Sequence, residues 1–256
     1  MRHVLAFALV AISFVSTPAA AMVGGAPVAP DGIRRHVVMI VGSRGSSCTA
    51  TAVAHDVLLT AAHCVLPGAD YKLVLFDANR TPSLKDLTTI ARHPAFALKT
   101  LLAHRATADV ALLKLAAPLP ASFTPVPIAG ADALVAVGDR FTVAGFGVTV
   151  RGDGKTGGTL RTADLVATGQ PGSLQLRLVD PATRNETAGL GACTADSGAP
   201  VFVRRGMAVA VTGVVSWSTG PKNAAGCGGL TGVTPLSRYR DWIVETARKL
   251  GSPLAE

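Results

Sequence analysis

Cys193-Thr194-Ala195-Asp196-Ser197-Gly198-Ala199-Pro200 and, far upstream, Thr60-Ala61-Ala62-His63-Cys64 are the stretches on which the reading of this chain turns. Each sets one chemically capable side chain beside a cysteine and among small residues. Serine is a weak nucleophile until a neighbouring base takes its proton. A serine and a histidine held in tight backbone, if the fold brings them together, make a hydrolase that works through a covalent acyl-enzyme.

Six histidines could supply the base. His3 lies in an N-terminal leader, and His36, His55, His93 and His104 occupy ordinary polar or loop contexts. His63 follows the apolar run Val57-Leu58-Leu59-Thr60 and directly precedes Cys64, a strand end that a disulfide would make rigid. Such a base needs a third group to fix its tautomer. Asp109 opens Asp109-Val110-Ala111-Leu112-Leu113-Lys114-Leu115. A carboxylate abutting such a strand is expected to be buried and so to need a partner.

Further out, short β-branched runs at 36–42, 51–60, 71–76, 110–115, 141–150, 174–178, 200–203 and 208–217 are separated by Gly, Pro, Asp and Asn, which points to an all-β sandwich or barrel. A helix is expected only at the end. Ser237 caps it, Tyr239, Trp242, Ile243, Thr246 and Leu250 share one face, and Gly251 stops it. The Pro-rich stretch 117–127 reads as a stiff linker between two β units, with His63 in the first and Ser197 in the second. The Gly-rich loop 151–158 is expected to be mobile. Its Arg151-Gly152-Asp153 triplet raises the alternative of a secreted adhesin, although chance accounts for it in a loop of this composition. Asn185-Glu186-Thr187 is a glycosylation sequon.

The chain has 256 residues, 49% of them hydrophobic and 16% charged, enough for a sizeable core and unlike a disordered segment. Residues 1–21 read as a secretory signal peptide: Arg2 and His3, a short apolar run, then Ala19-Ala20-Ala21 as the cleavage site. Its removal takes away Arg2 and no acid, lowering the formal charge from +8 to +7. The basic residues are scattered, so no nucleic-acid role is expected. Nor is any membrane association after cleavage, and the location is secreted or periplasmic. Four cysteines, Cys48, Cys64, Cys193 and Cys227, imply two disulfides in one of three pairings. His55, His63 and Cys64 lie close in sequence, but without a C-x-x-C pair in an oxidising compartment no metal and no cofactor is expected.

The segments 59–64, 109–115 and 196–200 resemble the trypsin/chymotrypsin family of serine proteases, and their His…Asp…Ser order differs from that of α/β-hydrolases. The resemblance runs from Met22 to the final helix. It implies an all-β, chymotrypsin-like fold of two six-stranded antiparallel β-barrels with a C-terminal α-helix. Residues 22–127 would carry His63 and Asp109, and residues 128–256 would carry Ser197. It also implies the pairings Cys48–Cys64 and Cys193–Cys227. Gly145-Phe146-Gly147 resembles the family's Gly-Trp-Gly, and Ser216-Trp217 the strand that pairs with substrate backbone. Cleavage after Ala21 would leave Met22-Val23-Gly24-Gly25, similar to the activated family N-terminus, so that the Met22 ammonium pairs with Asp196.

The family pattern Gly-Asp-Ser-Gly-Gly-Pro is altered here, with Ala195 and Ala199 at two glycines. The Ala195 and Ser197 amides would form the oxyanion hole, and alanine at 195 is strained if its φ is positive. By resemblance Gly191, Ser218 and Gly232 line the primary pocket, with no acid at its base. A Lys or Arg side chain would therefore lack a counter-charge there. The expected function is a secreted, monomeric serine endopeptidase acting on peptide or protein substrates without a basic P1 preference, and open to protein inhibitors. The alternative is a weak or inactive homologue that acts as a binding protein.

Overall fold

The computed structural model describes residues 22–254 except 104, 131–134, 171, 173 and 207. The leader and His104 fall outside the described residues. Among the described residues, twelve strands form two closed antiparallel barrels. The first contains β1 (Val37–Gly42), β2 (Ser47–Ala54), β3 (Val57–Thr60), β4 (Tyr71–Phe76), β5 (Pro82–Arg92) and β6 (Ala111–Leu115), in the order β1-β2-β3-β6-β5-β4. The second contains β7 (Arg140–Gly145), β8 (Arg161–Thr168), β9 (Leu176–Val179), β10 (Pro200–Arg205), β11 (Ala208–Ser218) and β12 (Thr231–Pro235), in the order β10-β11-β12-β9-β8-β7. The expected fold class is therefore the one found. Closure leaves neither sheet a free edge.

Three apolar clusters hold the molecule together. Ile40, Leu58, Leu73 and Leu113 belong to one that fills the first barrel, and Phe141, Leu165, Leu178 and Val233 to one that fills the second. The third lies between the barrels, where Leu59, Val110 and Leu112 meet Phe202, Val211, Val214 and Ile243. Residues Val57, Leu58 and Leu59 are all fully buried because β3 feeds two of these clusters at once. That explains why the run lacks polar alternation.

Several local expectations need correction. The run 51–60 is two strands, β2 and β3, folded back with Thr51 opposite Leu59. The Pro-rich stretch is packed down rather than spaced out. The Leu119 N–H bonds the His55 carbonyl at 2.7 Å, the Val126 N–H bonds that of Ala52 at 2.9 Å, and both side chains are buried. Ser237 does not cap the last helix. It lies in a 3-10 turn, Ser237–Tyr239, and the helix begins after it as Arg240–Lys249, with Tyr239 at the N-cap and no side-chain capping bond. The expected face is correct, as Tyr239 and Ile243 are buried and Trp242 and Leu250 pack on the same cluster. Gly251 adopts φ +75, the left-handed conformation that ends a helix. Among the described residues, no helix is long and apolar enough to cross a membrane.

Candidate active site

Strand register brings the first two candidate residues together. β3 runs antiparallel to β6 with Thr60 opposite Ala111. His63, three residues past Thr60, and Asp109, two before Ala111, therefore lie at the same barrel end. The 3-10 turn Ala62–Val65 carries His63, and the Cys48–Cys64 disulfide ties that turn to β2. Asp109 is fully buried, and three donors converge on it. The His63 N–H reaches Oδ1 at 2.9 Å, His63 Nδ1 reaches Oδ2 at 2.7 Å, and the Ser216 hydroxyl donates to Oδ2 at 2.5 Å. A carboxylate only accepts, so Nδ1 carries the proton and Nε2 is left as the basic nitrogen. Ser216 comes from β11, so Asp109 also joins the two barrels. Its role as a carboxylate partner was not apparent from the sequence.

Ser197 is held by backbone. Its carbonyl accepts from the Thr49 N–H at 2.9 Å, next to the half-cystine Cys48. The Gly198 N–H bonds the Val215 carbonyl at 2.7 Å. Gly198 has φ +77, and a Cβ there would lie 2.1 Å from Thr60 Oγ1 and 2.4 Å from the Thr49 carbonyl oxygen. Only glycine fits at that point. Ala199, by contrast, is accommodated as a fully buried member of the second barrel's core.

Asp196 is fully buried and takes the Gly147 N–H on Oδ1 and the Cys193 N–H on Oδ2, each at 2.8 Å. A Cβ on Gly145 or Gly147 would strike its carboxylate, at 2.1 and 2.3 Å respectively, which is why glycines flank Phe146. Burial pushes the Asp196 carboxyl up to about 7 against the lowering effect of the two amides. Met22 is completely buried among the second barrel's core residues, and Val23 bridges to Gly191.

Ala195 adopts φ +74. The left-handed region costs a non-glycine residue about 1–2 kcal/mol. Three bonds hold the peptides on either side of it in place, one of them from the Asp196 N–H to the Cys193 carbonyl at 3.0 Å. The Thr194 carbonyl accepts from the Val148 N–H at 2.9 Å, and the Ala195 carbonyl accepts from the Thr49 hydroxyl at 3.0 Å.

Around the pocket expected from the sequence, Gly191 lacks a side chain and Ser218 Oγ turns toward the Gly226 carbonyl at 3.4 Å. Gly232 lies on β12 beside the expected substrate-binding residue Trp217. It pairs with Trp217 across the ladder, and a Cβ on it would lie 1.9 Å from the Trp217 indole. Strand alternation turns its neighbour Thr231 the other way. Thr231 is fully buried, its Oγ1 accepts from the Ala192 N–H at 3.0 Å, and it stands 3.4 Å from where a Gly191 Cβ would be.

Cysteine pairing follows the family pattern, Cys48–Cys64 and Cys193–Cys227. Cys48, His63 and Cys64 cluster closely, but both sulfurs are consumed in the disulfide and offer no thiolate to a metal. The loop 151–158 is braced by its own chain. Arg151 Nη1 donates to the Ala225 carbonyl at 3.0 Å, and the Asp153 side chain accepts from the Lys155 N–H at 3.1 Å.

A family model described as Trypsin matches residues 22–243. The chain is 26% identical over 211 residues to Kallikrein-11 of Homo sapiens, covering 78% of this chain and 72% of that protein. It is 28% identical over 218 residues to a vitellin-degrading protease of Bombyx mori, covering 80% and 77% respectively. It is 25% identical over 220 residues to the snake venom serine protease rhinocerase 4 of Bitis rhinoceros, covering 82% and 81%.

Proposed function

This chain belongs to the trypsin family, and from that premise we propose that it is a secreted or periplasmic serine endopeptidase that cleaves after small or apolar residues. The observation that carries this reading is the Asp109 carboxylate, buried and bonded to both His63 and Ser216. Ser197 Oγ attacks the scissile carbonyl. His63 Nε2 takes its proton and returns it to the leaving amine, while Asp109 holds the imidazole and stabilises its charged form. The Ala195 and Ser197 amides bind the oxyanion, and water then hydrolyses the acyl-enzyme. The left-handed φ of Ala195 supports a formed hole and weakens the motive for reading the chain as an inactive binding homologue.

Removal of residues 1–21 would free the Met22 amine as the counter-charge for Asp196. The burial of Met22 and the Val23–Gly191 bridge support that placement. Thr231, rather than Gly232, would border the primary pocket together with Gly191 and Ser218. A threonine hydroxyl beside Gly191, and no acid, suit Ala or Val better than Lys or Arg. Substrates are peptides or proteins.

A peptide-library cleavage profile of the secreted protein, run beside Ser197→Ala, tests this. Cleavage after small apolar residues that disappears in Ser197→Ala is expected, with a mature chain starting at Met22 by mass spectrometry. Equal activity in Ser197→Ala, or a preference for Lys and Arg, contradicts it.

A further inference from the structure

We propose that Thr49 is a positioning residue for the oxyanion hole, its buried hydroxyl locking Ala195 in the conformation that presents its N–H. This rests on the protease reading above. Thr49 lies on β2 of the first barrel, and Ala195 lies on the loop of the second barrel that carries Ser197. The side chain is fully buried, so its hydroxyl has no water to turn to. Its Oγ1 accepts from the Phe146 N–H at 3.1 Å and donates to the Ala195 carbonyl at 3.0 Å. The incoming amide fixes the direction of the hydroxyl, and the proton is left pointing at Ala195. The Thr49 N–H meanwhile bonds the Ser197 carbonyl at 2.9 Å. One residue thus grips both members of the proposed hole, one by its side chain and the other by its backbone.

The need for such a grip follows from Ala195 itself. Glycine would enter the left-handed region without strain, whereas alanine at φ +74 tends to relax out of it. Relaxation would rotate the peptide bonds on either side of Ala195 and turn its N–H away from the reacting oxygen. On the N-terminal side, the Val148 N–H holds the Thr194 carbonyl. On the C-terminal side, the Asp196 N–H of the next peptide bonds the Cys193 carbonyl at 3.0 Å, and the only side-chain bond to the Ala195 carbonyl among the described residues is that of Thr49. A first-barrel threonine therefore offsets a second-barrel alanine, and neither is informative alone.

Thr49→Val keeps the shape and removes the hydroxyl. Its expected effect is a fall in kcat of at least tenfold per titrated active site, with KM within about twofold. Loss of an oxyanion donor acts on the transition state rather than on substrate binding. Affinity for a peptide aldehyde that mimics the tetrahedral intermediate falls in parallel. Thr49→Ser, which restores the hydroxyl, recovers most of the rate. In an Ala195→Gly background the strain is gone, so Thr49→Val there costs less than about threefold.

Thr51→Val is the control, being the same swap two residues along the same strand. The Thr51 hydroxyl is buried with no hydrogen-bond partner among the described residues, and its removal is expected to leave kcat and KM in place. The inference is overturned if Thr49→Val matches Thr51→Val in kcat. It is overturned equally if the loss is as large in the Ala195→Gly background, or if Thr49→Ser fails to restore the rate. Should Thr49→Val not fold, Thr49→Ser and the double variant decide by the same criteria. A wild type that neither turns over peptide nor takes a fluorophosphonate contradicts the protease reading, and this inference falls with it.

Discussion

At the scale of single residues, the site depends on how few alternatives each buried polar group has. Asp109 is surrounded by three donors, and Ser216 supplies the one that comes from the second barrel. Ser216→Ala removes one of the two donors to Asp109 Oδ2 and leaves His63 Nδ1 as the other. Hydrogen bonds to charged groups are worth about 1.5–3 kcal/mol, so kcat/KM is expected to fall by roughly tenfold or more. Steady-state kinetics check this, and an unchanged kcat/KM argues that Ser216 is a bystander. Thr231→Gly is expected to widen the pocket and shift cleavage from Ala toward Leu or Phe. A ratio of the two substrates' kcat/KM that does not move returns the pocket to Gly232. The His63–Asp109 contact was legible because the sequence neighbours of both residues advertise them: an apolar strand beside each and a cysteine after His63. Thr49 and Thr231 were not. Their partners, Ala195 and Ala192, lie 146 and 39 positions away, and nothing local in the sequence marks such a bond.

At the scale of elements, the strands that escaped notice are the least apolar. β5 is exposed along most of its length, with Lys85, Asp86, Thr88 and Thr89 on it, and it joins the barrel through ladder bonds to β4 and β6, with Leu87 packing on the first-barrel core and Asp86 paired with Lys72. β8 buries Ala163, Leu165 and Ala167 in alternation, a period-2 signal kept faint by small residues. The final helix was legible because its apolar face is strong, but its start was displaced by a 3-10 turn that periodicity does not register. Ile243 is fully buried in the cluster between the barrels. Ile243→Ala is expected to destabilise the protein by about 2–5 kcal/mol through lost burial and the cavity left behind. A urea titration that shows no shift in midpoint contradicts the helix's role in joining the barrels.

At the scale of the whole molecule, the proposed function couples the N-terminus to the site through Asp196. With residues still attached ahead of Met22, the Asp196 carboxyl sits at about 7 in the fold, against an ordinary 3.8. A raised folded pKa means that the fold holds the proton more tightly than the unfolded chain does. The resulting stability is complete below about pH 4 and is lost as pH rises toward 7. In a chain that begins at Met22, the proposed pairing would let the free ammonium supply the missing counter-charge across the same range. Melting temperatures of the two forms are therefore expected to diverge between pH 4 and 7, with the uncleaved form falling, and Asp196→Asn should flatten its slope. Parallel curves contradict the coupling.

The two-barrel architecture was accessible from motif order together with the resemblance it carries. The tie of Asp56, Lys114 and Ser252, which fastens the chain's end to the first barrel, was not, because its members are far apart in sequence. The central claim is that Ser197 is a nucleophile activated by His63 and Asp109. Its most direct test is fluorophosphonate labelling of the secreted, folded protein, with the adduct mapped by mass spectrometry. One adduct on Ser197 is expected, absent in Ser197→Ala and slowed at least a hundredfold in His63→Ala. No adduct on Ser197 in a folded chain beginning at Met22, or equal labelling of His63→Ala, contradicts it.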